Sequence, residues 1–233
     1  MTKSETGIKM DSKILGVIPA YNEAAAIKRV VIETLKYLPV LVVDDGSTDN
    51  TGIYAREAGA EVVLNDKNLG KGAALRNGFR YALEKGYQAV VILDADGQHD
   101  PHEIPLFLKS YQEKQGNLTI GVRDFTQMPF TRRLANTLGG FFVNLIANEK
   151  IPDNQSGYRL IDDQVMNLLL NSTEMGFEFE VEMIFACLHA GLLIEWVPIK
   201  TIYAGEKSHI SPLSHISNYF RILKRVSKKY RHG

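Results

Sequence analysis

Five apolar runs recur along the first half of the chain, and each ends abruptly in polar or charged residues. ILGVI (residues 14–18) leads into PAYNE, VLVVD (40–44) into DGSTD, and AEVVL (60–64) into NDKNLGKG. AVVIL (89–93) leads into DADGQHD and NLTIGV (117–122) into RDF. Runs this uniformly apolar lack the alternation of a half-buried strand, so they read as strands covered on both faces. The stretches between them (23–38, from about 49, 71–85 and 101–115) carry helical spacing. The pattern predicts an α/β domain with a mostly parallel central sheet flanked by helices. In such sheets ligands bind beyond the carboxyl ends of the strands, so the five polar clusters describe one face.

The 233 residues, 45% of them apolar, suffice for one domain with its own core. We expect an extension over 1–12, the domain over 13–210 and a basic amphipathic helix over 211–233. A single cysteine, Cys187, excludes an internal disulfide and a multi-cysteine zinc site. No apolar leader and no run near the ~18–20 apolar residues of a membrane span is present, so a cytoplasmic location is expected. Net charge is zero, and no nucleic-acid partner is expected. The charge is unevenly spread: no acid follows Glu206, whereas Lys207, Arg221, Lys224, Arg225, Lys228, Lys229 and Arg231 do.

The sharpest chemical signal is VVILDADGQHDP. In extended chain, residues two apart face the same way, so Asp94 and Asp96 converge. Two carboxylates held together raise each other's pKa unless a cation neutralises them. Mg²⁺ or Mn²⁺ suits that pair, with Gln98 or His99 nearby. An isolated D-x-D is also common as loop decoration. VVDDGSTDN adds two adjacent acids, Asp44 and Asp45, one of them a candidate to hold a ribose or base, with Gly46 at the turn. NLGKGAALRNG offers backbone N–H groups and Lys71 at a helix start, suited to a diphosphate.

Taken together, VIPAYNE, VVDDGSTD, NLGKGAALRNG and LDADGQHDP resemble a family 2 glycosyltransferase with the nucleotide-sugar-binding GT-A fold. DADGQHDP, VRDF, RRLANTLGGFFVNLIA and DNQSGYRL are similar to its dolichyl-phosphate mannose synthase and polyprenyl-phosphate glycosyltransferase branch. The resemblance implies that Pro19, Tyr21 and Glu23, helped by Asp45, hold base and ribose. It also implies that Asp94, Asp96 and Gln98 form the metal site. QSGYR departs from the Q-x-x-R-W of processive polysaccharide synthases, since Tyr158 stands where their arginine would be and Arg159 follows. That departure argues against a polymerising enzyme.

The implied reaction is inverting transfer of a hexose from a nucleotide sugar of GDP-mannose or UDP-glucose type, Lys71 and the metal stabilising the departing diphosphate. A phosphate acceptor, with its second pKa of ~6, needs cations to position it rather than a base. Arg123, Arg132, Arg133, Arg159 and Lys207 are candidates, because guanidinium forks match phosphate; each lone arginine has a surface ion pair as its ordinary explanation. A hydroxyl acceptor would need a base, and GFEFEVEMI offers Glu178, Glu180 and Glu182. On a helix Glu178 and Glu182 share a face, and the resemblance favours Glu182. Residues 132–147 and the basic tail suit a membrane surface, a membrane partner subunit or the domain's own core. A glycan or small-molecule hydroxyl acceptor is the second reading, and a non-catalytic sugar-nucleotide-binding module the third. A dehalogenase-type phosphohydrolase would need Thr or Val where Gln98 stands, and a nucleotidyltransferase a glycine- and arginine-rich first loop that PAYNEAAAIKR is not.

Overall fold

The computed structural model describes residues 13–124, 143–147, 149–176, 178–200 and 225. The strands are β1 (Ile14–Ala20), β2 (Val40–Asp44), β3 (Glu61–Leu64), β4 (Ala89–Ile92), β5 (Leu118–Arg123), β6 (Arg159–Asp162) and β7 (Ile194–Ile199). The helices are α1 (Ile27–Thr34), α2 (Thr51–Glu57), α3 (Lys71–Glu84), α4 (Ile104–Lys114), α5 (Asp163–Leu169) and α6 (Glu178–His189), with a 3₁₀ turn at Pro101–Glu103. The strands form one seven-stranded sheet in the order β3-β2-β1-β4-β6-β5-β7.

All five expected strands are present, and the sheet is parallel except at β6, which runs antiparallel to both β4 and β5. β6 was not expected: RLID is only four residues long and bounded by charges, so it reads as the end of a loop. Its reversal matters for function. Arg159 opens β6 and pairs with Ile92 and Ile120 near the carboxyl ends of β4 and β5. The DNQSGY segment before it therefore arrives on the same rim as the five strand-end clusters.

The two faces of the sheet account for the absence of alternation. Leu15, Val17, Leu41, Val43, Val90 and Ile92 pack against Leu75 and Phe79 of α3 and Met183 of α6. Ile14, Ile18, Val40, Val42, Ala89 and Val91 pack against Val30 and Val31 of α1 and Phe107 of α4. Every residue of β1, β2 and β4 is buried, as expected for central strands sandwiched between helical layers. Of the stretch expected to be helical over 132–147, residues 143–147 are helical. The rest of that stretch, and residues 211–233 apart from Arg225, lie outside the described residues. Among the described residues no helix is long and apolar enough to cross a membrane.

Candidate active site

The rim opens where a ladder stops. Even-numbered residues of β1 turn their backbone groups to the β2 side, since the Gly16 N–H bonds Pro39 O and Ala20 O accepts from the Asp45 N–H. Odd-numbered ones turn to β4, as Val17 O does in accepting from the Leu93 N–H. Pro19 falls on that side without an N–H to offer, and the β1–β4 pairing ends at Val17 and Ile92. The strand order departs in both directions from β1, so this is also the topological switch point where such sheets bind ligands.

The loops after β1 and β2 are stitched together there. The Asn22 N–H donates to Ser47 Oγ, the Thr48 N–H to Asn22 Oδ1 and the Glu23 N–H to Thr51 Oγ1. Tyr21 stays 44% exposed, available to a planar ligand. Gly46 makes the turn at φ 73°, where a side chain would be strained.

Asp45 is placed differently from the expectation that it helps hold a ribose. It is buried, and its oxygens accept from Asn65 Nδ2 (2.7 Å), the Leu69 N–H (3.0 Å) and the Gly70 N–H (2.7 Å). The Gly72 N–H is taken by Met175 O at 2.7 Å. The backbone donors of NLGKG, expected to cradle a diphosphate, thus serve the protein's own carboxylate and carbonyl. What the loop presents toward the rim is the Lys71 side chain.

Lys71 is the hub. Its Nζ lies 2.5 Å from Asp94 Oδ1 and 2.7 Å from Glu180 Oε1. Burial alone would drive the ammonium toward its neutral form, but the Asp94 and Glu180 charges outweigh that and raise its pKa. Burial likewise pushes the Asp94 carboxyl up, and Lys71 more than reverses it, holding Asp94 well below the usual carboxylate range. Gly157 of QSGY closes over all three: a β-carbon there would meet Glu180 Oε1 and Lys71 Nζ at 2.9 Å and Asp94 Oδ2 at 3.1 Å.

The D-x-D stretch alternates as expected, with Asp94, Asp96 and Gln98 half-buried and Leu93, Ala95 and His99 buried between them. Asp96 Oδ1 accepts from the Gln98 N–H at 2.9 Å. His99 turns inward: its Nδ1 accepts from the Asp94 N–H at 3.0 Å and its ring stacks on Tyr158 at 4.9 Å. Burial, chiefly, brings its pKa down to about 4, so it is a neutral wedge that shapes the turn. Among the described residues no three His, Cys, Asp or Glu side chains form a metal cage. The half-buried carboxylates of Asp94 and Asp96, the second within a turn, are oxygen donors of the kind a hard cation such as Mg²⁺ takes, one or two at a time, its shell completed by water and phosphate oxygens.

At the end of β5, which β6 separates from β4, Arg123 Nε lies 2.8 Å from Asp153 Oδ2 and its Nη2 2.9 Å from Asp153 Oδ1. Arg159 is fully buried and donates to the carbonyls of Ser156 (2.8 Å) and Glu180 (2.6 Å). The expectation that it meets an acceptor directly gives way to a bracing position between the QSGY turn and α6. Tyr158 stacks on Phe107 at 4.3 Å and donates to Asp100 O.

Of the three α6 glutamates, the structure brings Glu180, rather than the favoured Glu182, to Lys71. Glu182 accepts from the Ser172 hydroxyl on the other side of the helix. The helix is buried almost continuously from Phe179 to Cys187, so its residues show no polar face from which its rotation could be read. Arg132, Arg133 and Lys207 lie outside the described residues. Arg225 lies against the same region, its Nη1 2.8 Å from Glu174 Oε1.

A mixed α/β sheet with a lysine-bridged acidic rim at its switch point defines a class of protein with a charged ligand site beyond the strand ends. The profile described as Glycosyl transferase family 2 matches residues 17–169, and the chain belongs to that family. It is 31% identical to the undecaprenyl-phosphate mannosyltransferase of Micrococcus luteus, over 80% of this chain and 82% of that one. It is 31% identical to the UDP-N-acetylglucosamine–dolichyl-phosphate N-acetylglucosaminyltransferase of Methanococcus voltae, over 83% and 87%. Among solved structures, glucosyl-3-phosphoglycerate synthase from Mycobacterium tuberculosis with Mn²⁺, UDP-glucose and phosphoglyceric acid shares the fold. Its TM-score is 0.75 at 19% identity, over 94% of this chain and 80% of that one.

Proposed function

We propose that the protein transfers a hexose from a nucleotide sugar to a polyprenyl phosphate, with inversion, at the cytoplasmic face of a membrane. The observation that carries this reading is the charge geography of the rim. Half-buried acids at the end of β4 sit beside an arginine fork at the end of β5. The kinship with lipid-phosphate glycosyltransferases supports the acceptor class.

Pro19, Tyr21 and Glu23 border the nucleoside side. Asp94 and Asp96, with Gln98, would hold Mg²⁺ or Mn²⁺, which supplies positive charge to the departing diphosphate. Lys71, kept close by Glu180, adds an ammonium beside the ion. Arg123 presents the acceptor phosphate from the opposite side, aided by Arg132, Arg133 and Lys207. A phosphate with its second pKa of ~6 arrives as a dianion, so positioning suffices and no base is required. Asp45 and Arg159 act as positioning residues, and the basic C-terminal segment supplies the membrane contact.

The test is an assay of the full chain with Mn²⁺, polyprenyl phosphate and radiolabelled GDP-mannose, UDP-glucose or UDP-N-acetylglucosamine. A lipid-extractable glycosyl phosphate supports the reading. Label appearing only on a hydroxyl acceptor, or donor binding with no transfer, overturns it.

A further inference from the structure

We infer that Lys71 and a divalent ion compete for Asp94, and that Glu180 is the second seat to which the lysine ammonium withdraws when the ion binds. This rests on the proposed metal site.

Three observations carry it. Lys71 Nζ is held by two carboxylates at once, 2.5 Å and 2.7 Å away. Those carboxylates differ in access: the Asp94 side chain is 28% exposed and that of Glu180 only 7%. An ion from solvent therefore meets Asp94, while Glu180 stays with the lysine. Finally, Glu180 is fixed from behind, because its backbone carbonyl accepts from the buried Arg159 guanidinium at 2.6 Å. A buried glutamate unneeded for a phosphate acceptor thus gains a task. It keeps an anionic partner for Lys71, so that Asp94 can exchange one cation for another without leaving the ammonium unpaired.

The charges make opposite predictions for two variants. Glu180→Gln removes one of the two carboxylates that hold Lys71, so the ammonium competes harder with the metal for Asp94. Lys71→Gln removes the competitor. Mn²⁺ alone is titrated into the full chain, with free ion read by electron paramagnetic resonance. We expect affinity to fall about tenfold in Glu180→Gln and to rise about tenfold in Lys71→Gln, the scale of one charge a few ångströms away. The double variant returns close to wild type. Opposite signs and the recovery establish the competition, and a crystal structure of the Mn²⁺-bound chain reads the seat: Lys71 Nζ should keep Glu180 and leave Asp94, and an ammonium still on Asp94 or departed from Glu180 overturns it.

Unchanged or tighter Mn²⁺ binding in Glu180→Gln, or weaker binding in Lys71→Gln, overturns the inference while leaving the metal site intact. A wild-type chain that binds no Mn²⁺ at millimolar concentration overturns the metal site itself, and the inference with it. Circular dichroism verifies folding. Should Glu180→Gln fail to fold, Lys71→Gln decides alone by the direction of its change.

Discussion

Gly157 and Lys71, 86 positions apart in the chain, are packed so closely that a β-carbon on residue 157 would sit 2.9 Å from the lysine Nζ. The glycine of QSGY is thereby tied to the lysine of NLGKG by space as well as by rim position.

Gly157→Ala should therefore damage catalysis more than folding. The methyl group must displace the ammonium or Glu180, both held by short ion-pair contacts. We expect kcat to fall at least about tenfold, equivalent to ~1.4 kcal/mol, with only a small change in Tm. Measuring both on one preparation separates the effects; equal kcat would refute the packing argument.

Asp45→Ala should act through the loop it holds. Removing the carboxylate leaves the Leu69 and Gly70 N–H groups without their acceptor, at about 1–3 kcal/mol. Denaturant unfolding should show that loss, and the donor KM should rise because Lys71 follows the loop. A variant of wild-type stability would mean that water replaces the carboxylate.

Arg123→Ala strips a buried partner from Asp153, whose side chain is 1% exposed. We expect a stability loss of about 3 kcal/mol. Arg123→Lys keeps the charge but loses the fork, so it should raise acceptor KM while donor KM holds. A rise confined to the donor would remove Arg123 from the acceptor side.

Cys187 gives a pH test away from the rim. Burial, foremost, pushes its thiol from 9.0 up to about 12. Between those values the unfolded thiol has lost its proton and the folded one keeps it, so this contribution to stability falls as pH rises. The slope is about 1.4 kcal/mol per pH unit. Relative to wild type, Cys187→Ala should flatten the decline above pH 9. Native protein should also be inert to a thiol reagent at pH 8 and react once unfolded.

The basic segment is testable in the full chain by charge reversal. Changing Lys228, Lys229 and Arg231 to Glu should abolish co-sedimentation with anionic phospholipid vesicles. Wild-type binding itself should weaken with added salt. Unaltered binding of the variant would move the membrane contact elsewhere.

β1, β2 and β4 were legible because burial on both faces writes an unbroken apolar run; β3 shares the apolar run but stands at the sheet edge, exposed at Glu61 and Leu64. Asp94, Asp96 and Gln98 do alternate in burial with Leu93, Ala95 and His99, but the chain turns at Ala95–Gly97, with Gly97 at φ 80°, rather than running on extended. Three things were not legible, each for a physical reason. β6 is too short and too charged at its ends to signal a strand, though it stands inside the sheet between β4 and β5. The direction of Asp45 depended on a loop more than twenty residues away, which nothing local encodes. Glu180 was passed over for Glu182 because a helix buried all round carries no amphipathic mark of its rotation.

The reversal of β6 has a corollary for how the protein can change. β5 leaves the rim at Arg123, and β6 re-enters it at Arg159, beside Ile120 and Ile92. Everything in between is an excursion whose two feet stand on the same ground. It can lengthen, shorten or be swapped without sliding β4 past β1, since long insertions between fixed ends add little closure entropy. What its length cannot change is the last step before β6, where Gly157 is pressed against Lys71 and Asp94; the segment is free in size and bound at its exit.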